Sequence, residues 1–352
     1  MKKNSFLLIA AAGMLTVSCS NDVVNTELNR NLISVRATLS KMTKGAVVDA
    51  FNLGQFSLSA STDNDSVVIP QCNARVDGQG ATSGYGYHYW PQDETPVNFY
   101  AWGPTDLKND GQVVATDNVT FTVTPKDNID EQVDFVFANT EKNRISGKGG
   151  VNLYFRHAMS QIVVKVRNSQ SNYKFNVHGW KMVYLDKSGK FTFGGTSTDE
   201  IVTLSKSYWS ENTAAEVGNY YSKTLDNKKL VTSADTIQLE GNMILVPQDV
   251  NKATGYTSAA PGSPFNGAYI AILMNVIEAA TGNELKAEQW CCWPVDFVWN
   301  PGYKYVYNVD LGGGGYNETS GGGTDPQPVI DMITIVPQLP DWIEYPIDVV
   351  MP

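Results

Sequence analysis

Three features of the sequence predict an all-β fold. Short runs that alternate apolar and polar residues, such as LISVRATLS (32–40) and VTFTVT (119–124), recur with Gly, Asn, Asp and Pro between them. No useful length of chain carries an apolar period near 3.6, apart from the N-terminal twenty residues and SYWSENTAAEVGNYYSKTL (207–225), which reads as a short helix or a long loop. Only 18% of the 352 residues are charged, whereas Gly, Asn, Ser, Thr and aromatic residues are plentiful, as strands joined by turns require.

The first segment, MKKNSFLLIAAAGMLTVSC, sets Lys2 and Lys3 before an apolar run from Phe6 to Val17 and small residues before Cys19. This is the order of a secretory signal, and the run is too short to span a bilayer permanently. LTVS before Cys19 resembles a lipobox, with Leu15 one position further back than the pattern prefers and Thr16 in its place. Residues 1–18 are therefore expected to leave as a lipoprotein signal peptide, with Cys19 lipidated as the new first residue. Ordinary signal cleavage is the alternative. No other run is apolar and long enough to cross a membrane.

Strand patterns begin at Leu32 and continue through QFSLSAS (55–61), YGYHYW (85–90), VNFYAW (97–102), VTFTVT and DFVFAN (134–139). ISGKGG (145–150) interrupts them and is read as a domain boundary. Beyond it come VNLYFRHAMSQIVVKVR (151–167), NVHGWKMVYLD (176–186), KFTFGG (190–195), TIQLEGNMILVP (236–247), AYIAILMNVIEA (268–279) and WCCWPVDFVWNPGYKYVYNVDL (290–311). Each half holds six or seven short strands, the number for a two-sheet sandwich. The expected division is a pro-segment with the first strand at 19–44, an N-terminal sandwich at 45–150 and a C-terminal one at 151–311. GGGGYNETSGGGTDPQP follows at 312–328 and reads as a flexible linker. Its reach is about 56 Å extended or roughly 23 Å as a coil, enough for the tail at 329–352 to pair away from the strand it follows.

The chemistry in the chain is sparse. A formal charge of -10 with no basic patch argues against nucleic acid. The three histidines, His88, His157 and His178, stand in no metal-binding arrangement, and no nucleophile elbow is present, so no enzyme, metal or cofactor is expected. His157 reads as a packing residue on the face of Phe155 and Met159. Cys72, Cys291 and Cys292 lack metal spacing, and the last two point to opposite faces of a strand. They are expected as thiols, with a bridge from Cys72 to Cys291 or Cys292 as the alternative in an oxidising compartment. Tyr85, Tyr87 and Tyr89 would share one face of a strand; such a stripe more often packs a sheet than stacks on sugars.

Several of these stretches, in their order, resemble the fimbrillins, subunits of the Bacteroidota type V pilus. The residues are the lipobox-like Cys19, MTKGAVVDAFNLGQFSLSA (42–60), YWPQDETPVNFYAWGP (89–104), DFVFA (134–138), FRHAMSQIVVKV (155–166), WKMVYLDKSGKFTF (180–193) and WNPGYKYVYNVDL (299–311). The resemblance implies two transthyretin-like β-sandwiches in tandem, export as a lipoprotein to the cell outer membrane, and polymerisation into a fimbrium by donor-strand exchange after a surface trypsin-like protease removes the first strand. Family members often have Thr-Arg-Ala at the cut, whereas this chain has Thr43-Lys44-Gly45. Lys44 is the expected site, with Arg36 and Arg30 as alternatives. The donor strand would come from the tail, with Ile343, Ile347, Val349 and Met351 as its apolar residues.

The implied partners are other pilus subunits, the protease, and a host or bacterial glycan or protein receptor in cell adhesion. The alternative function is a surface lipoprotein that binds glycans or host proteins without polymerising, its tail paired within its own domain. Cys19→Ala should abolish fatty-acid labelling and release the protein from the outer membrane; attachment that survives the substitution would disprove lipidation at Cys19.

Overall fold

The structure is a computed structural model, and it describes residues 31–39, 53–77, 80–117, 119–194, 206–210, 219–233, 235–250, 267–317, 328–330 and 336–338. In chain order the strands are β1 (Val35–Leu39), β2 (Gln55–Thr62), β3 (Val67–Val76), β4 (Thr82–Ser83), β5 (Val97–Gly103), β6 (Val113–Ala115), β7 (Thr120–Val123), β8 (Val136–Lys142) and β9 (Val151–His157). They continue as β10 (Ser160–Arg167), β11 (Tyr173–Val183), β12 (Gly189–Thr192), β13 (Trp209–Ser210), β14 (Tyr220–Val231), β15 (Thr236–Gln238), β16 (Met243–Leu245) and β17 (Asp249–Val250). The last are β18 (Tyr269–Glu278), β19 (Glu284–Pro294), β20 (Phe297–Val298), β21 (Lys304–Asp310), β22 (Gly315–Asn317), β23 (Pro328–Ile330) and β24 (Val336–Gln338). The expected all-β class is what the chain adopts. Of the stretch at 207–225, the described residues are the end of a 3-10 turn, β13 and the start of β14.

The N-terminal strands form one seven-stranded sheet, ordered β1-β9-β8-β5-β2-β3-β4. Its two ends meet, because Arg36 in β1 forms an antiparallel bridge with Ala81 just before β4. One face encloses a core of Phe56, Leu58, Phe99, Leu153, Phe155 and their neighbours, to which Ile33, Val35 and Ala37 contribute. The N-terminal unit is thus a single rolled sheet rather than two stacked ones. The expected boundary at 150 also moves: ISGKGG links β8 to β9 inside this sheet, and the N-terminal unit runs to His157.

The C-terminal strands form a sandwich. A six-stranded sheet, β14-β11-β18-β19-β22-β23, faces a smaller one, β15-β10-β21-β24, with β16 also on β10. Between them lie Ile162, Val164, Trp180, Ile272, Trp293, Trp299, Tyr307 and other buried apolar residues. Cys291 faces this core and Cys292 the outer surface of the sheet, as strand alternation requires. No disulfide joins either of them to Cys72. Burial pushes the Cys291 thiol up to about 12, which keeps it protonated and unreactive.

A third sheet, β13-β12-β7-β6, draws two strands from each half of the sequence, with β7 paired to β12. It packs on the outer face of the N-terminal sheet through Trp102, Phe121, Phe135, Phe137, Phe191, Phe193 and Trp209. Many of these rings meet edge-on, the arrangement their quadrupoles favour. Only Ala158 and Met159 separate β9 from β10, and the crossing is pinned by three bonds. Ala158 N–H donates to the Phe135 carbonyl (2.9 Å), Gly302 N–H to the Met159 carbonyl (2.7 Å) and the Trp209 indole to the Ala158 carbonyl (2.9 Å).

The glycine-rich stretch starts as packed backbone, not as a linker. Leu311–Gly313 is a buried 3-10 turn, and a Cβ on Gly312 would sit 2.6 Å from Asn168 Oδ1. Gly315 lies so close to the Trp293 ring that a Cβ would come within 2.8 Å. β22 and β23, at the two ends of this stretch, pair antiparallel with each other. Phe121→Ala should lower the unfolding free energy by about 3 to 5 kcal/mol. Because Phe121 touches rings from both halves, the loss should appear as a single shifted urea transition. Two separated transitions would show that the aromatic sheet does not couple the halves.

Candidate assembly site

β1 is the described strand whose attachment differs most from the rest. It runs parallel to β9 in the register Val35↔Val151 through Leu39↔Phe155, and the Val151 N–H donates to the Ser34 carbonyl at 2.7 Å. Alternation puts Ile33, Val35 and Ala37 in the core, at 1%, 2% and 5% exposure, and turns Ser34, Arg36 and Thr38 outward. Burying the valine and isoleucine alone is worth roughly 3 to 6 kcal/mol.

The other edge of β1 is held by a loop. Trp90 N–H donates to the Asn31 carbonyl (2.9 Å), Ile33 N–H to the His88 carbonyl (2.8 Å), and Ala37 N–H to the Gly80 carbonyl (3.0 Å). Between these, Val35 N–H donates to the Tyr85 hydroxyl (3.1 Å), which itself donates to the Ile33 carbonyl (3.4 Å). His88 Nε2 donates to the Tyr85 carbonyl (2.6 Å) and braces the turn. Gly80 has φ +83, and a Cβ there would lie 2.5 Å from the Ala37 oxygen, so the approach requires glycine. Trp90 is buried and meets Phe99 edge-on at 5.7 Å.

YGYHYW, read as a strand from its alternation, is therefore mostly loop. Tyr85 turns inward to serve β1, while Tyr87 and Tyr89 are 82% and 50% exposed. Gly84 and Gly86, at φ +87 and +81, break the strand geometry, and the Gly-Tyr-Gly spacing was the signal available in the sequence.

Arg36, an alternative cleavage residue, lies in mid-ladder between Asn152 and Ala81. Cys19, Arg30, Lys44, Ile343, Ile347, Val349 and Met351 lie outside the described residues. Of the tail, β24 pairs antiparallel with β21, from Val306↔Gln338 to Asn308↔Val336.

Elsewhere, His157 is buried and paired with Asp134, which the sequence reading did not connect to it. Beside it, Arg156 donates to Asn139 Oδ1 (2.6 Å) and lies 4.7 Å from the centre of the Phe137 ring; burial lowers its pKa. The pair and the arginine sit where β9 leaves the N-terminal sheet and carry no open face for a substrate. Among the described residues no cluster of three or more His, Cys, Asp or Glu is placed to hold a metal, and no helix is long and apolar enough to cross a membrane.

Fold and site together define an all-β protein whose first strand is held by one ladder and a loop. The fimbrillin-like family model matches residues 23–324, and the chain belongs to that family. Among solved structures, a fimbrial protein from Bacteroides vulgatus ATCC 8482 is similar at a TM-score of 0.54 and 15% identity, over 89% of this chain and 100% of that one. A protein from Parabacteroides distasonis ATCC 8503, described as a "putative cell adhesion protein", is similar at a TM-score of 0.50 and 11% identity, over 89% and 99%. No curated protein matches the sequence.

Tyr85→Phe should destabilise the protein by about 1 to 2 kcal/mol, because the Val35 N–H loses its acceptor in a half-buried place. Chemical denaturation will measure it. An unchanged midpoint would mean that the loop does not grip the strand.

Proposed function

We propose that this protein is a structural subunit of a cell-surface fimbria, exported as a lipoprotein through Cys19 and polymerised when proteolysis frees its first strand. The observation that carries this reading is the attachment of β1 by one ladder and one loop. It is a five-residue strand that closes a rolled sheet, supplies Val35 and Ala37 to the core with Ile33 just before it, and is joined to β2 by a stretch containing Lys41 and Lys44. Loss of β1 would leave the β9 edge and the 80–90 loop without main-chain partners and would open an apolar slot. That state is costly until another strand enters. Strand addition from a neighbour's tail meets the need, with main-chain bonds giving affinity and alternate side chains giving specificity.

Lys44 is favoured over Arg36 as the cut. A protease must draw its substrate into an extended, unpaired form, and Arg36 is paired on both flanks. The tail residues Ile343, Ile347, Val349 and Met351 would then donate. With β24 docked on β21, the donor's reach counts from Gln338 rather than from Gly312, which still allows about 46 Å extended over fourteen residues. Other subunits and a surface trypsin-like protease are the partners of this reading, and adhesion to a glycan or protein receptor would be its use.

One observation favours the second reading, a surface lipoprotein that does not polymerise: β23 and β24 both pair within their own domain. Electron microscopy of protease-treated protein separates the two. Filaments whose N-terminal residue is Gly45 are expected, with Lys44→Gln giving uncut monomers. Val349→Asp should give subunits that fold and are cut normally but stay monomeric, since an unpaired carboxylate in an apolar slot offsets most of the burial gain. Cut protein that never forms filaments would support the second reading instead.

A further inference from the structure

We infer the register in which the incoming tail sits, an inference that rests on the donor-strand reading above. The slot of β1 is bonded on both sides, so its tolerance for proline can be read position by position. In a parallel ladder alternate residues of a strand make both bonds to the same neighbour. The Ser34 carbonyl accepts from Val151, which sets the phase: Arg36 and Thr38 turn their N–H groups to β9. Ile33, Val35 and Ala37 turn theirs to the His88 carbonyl, the Tyr85 hydroxyl and the Gly80 carbonyl. Within 33–38, only the Ser34 N–H meets no acceptor among the described residues. A strand that replaces β1 can therefore carry proline at the Ser34 position and at no other between 33 and 38 without leaving an acceptor unpaired.

The tail supplies the matching constraint. In IEYPIDVVM (343–351), Ile343, Tyr345, Ile347, Val349 and Met351 fall on one face and Glu344, Pro346, Asp348 and Val350 on the other. With the apolar face inward, Pro346 must take an outward position, and of Ser34, Arg36 and Thr38 only Ser34 accepts it. Tyr345 then replaces Ile33, Ile347 replaces Val35, Val349 replaces Ala37 and Met351 replaces Leu39, all running parallel to β9. Pro352 falls one place past Leu39, where the β1 ladder has ended. Tyr345 joins the donor residues, and Pro346 lies inside the inserted strand as the residue that fixes its register.

In this register Asp348 stands where Arg36 does, opposite the exposed Asn152. Protein carrying Asp348→Cys and Asn152→Cys, with Cys72→Ser to remove the half-buried thiol, should oxidise after assembly into covalent multimers on a non-reducing gel. The pair Asp348→Cys with Tyr154→Cys is shifted by two residues, about 6.6 Å along the strand, and should cross-link at a yield roughly tenfold lower. As a second readout, Pro346→Ala should still assemble, whereas Asp348→Pro, which removes an N–H that faces β9, should abolish filaments. Preferential linkage to position 154, equal linkage to both, or normal filaments from Asp348→Pro would overturn the register while leaving the donor-strand reading intact. If neither pair links, truncation after Pro340 decides. Loss of filaments would refute this register alone, and filaments formed without the tail would refute the donor-strand reading and the register with it.

Discussion

A β-sheet cannot end inside a protein without leaving a row of backbone donors and acceptors unpaired, and the N-terminal unit meets that constraint by closing on itself through β1. The other six strands of its sheet roll until the edge of β9 and the 80–90 loop face each other one strand apart. β1 fills that space with five residues, the buried side chains of Val35 and Ala37 beside that of Ile33, and main-chain bonds on both flanks. The details of the loop follow from the same need. Gly80 allows a close approach to Ala37, and the Tyr85 hydroxyl stands in for a carbonyl that a loop of this shape cannot supply. Arg36 and Thr38 face outward because the core side of the strand is already taken by Val35 and Ala37.

The two halves of the molecule are held together by a different interaction. The aromatic sheet built from β6, β7, β12 and β13 joins sequence positions 113–123 to positions 189–210, and the β9 to β10 crossing is two buried residues long. A hinge needs exposed, loosely bonded backbone, and this junction has neither. The rest of the N-terminal sheet therefore keeps its attachment to the C-terminal sandwich whether or not β1 is present. In the proposed strand exchange, a slot that receives a strand of fixed length would gain from such a rigid surround, because the incoming chain would not have to order its own acceptor.

What the sequence revealed and what it hid divide along a physical line. Alternation is local, so strands such as 55–62, 97–103 and 160–167 and the inward phase of Ile33, Val35 and Ala37 were legible in the residues. Pairing is not local. Nothing in GKFT at 189–192 tells that it will lie beside TFTV at 120–123, and nothing in VNLYFRH tells that it belongs to the sheet before ISGKGG rather than after it. Asp134 and His157 are 23 residues apart and meet only because β8 and β9 are adjacent. The glycine-rich stretch misled for the opposite reason. Glycine permits flexibility, but it also permits close packing, and at Gly312 and Gly315 the neighbours Asn168 and Trp293 use the missing side chain.

The two halves differ in a way that supports the proposed release of β1 rather than of another strand. Each half is closed by a parallel pair made of its first and last long strands, β1 with β9 and β10 with β21. β10 is laddered to β21 from Gln161 to Arg167 and on its other side to β15 and β16. Both its ends are fixed in the chain, since β9 precedes it by two residues. β1 has a full ladder on one side only, a loop on the other, and no described strand before it. Removing β10 would cost two strand ladders and the centre of the C-terminal core, whereas removing β1 and the residues just before it would cost one five-residue ladder, a few loop contacts and the side chains of Ile33, Val35 and Ala37. The difference lies in the second flank: β10 is laddered to strands on both sides, whereas the second flank of β1 is a loop that offers it only a few main-chain bonds.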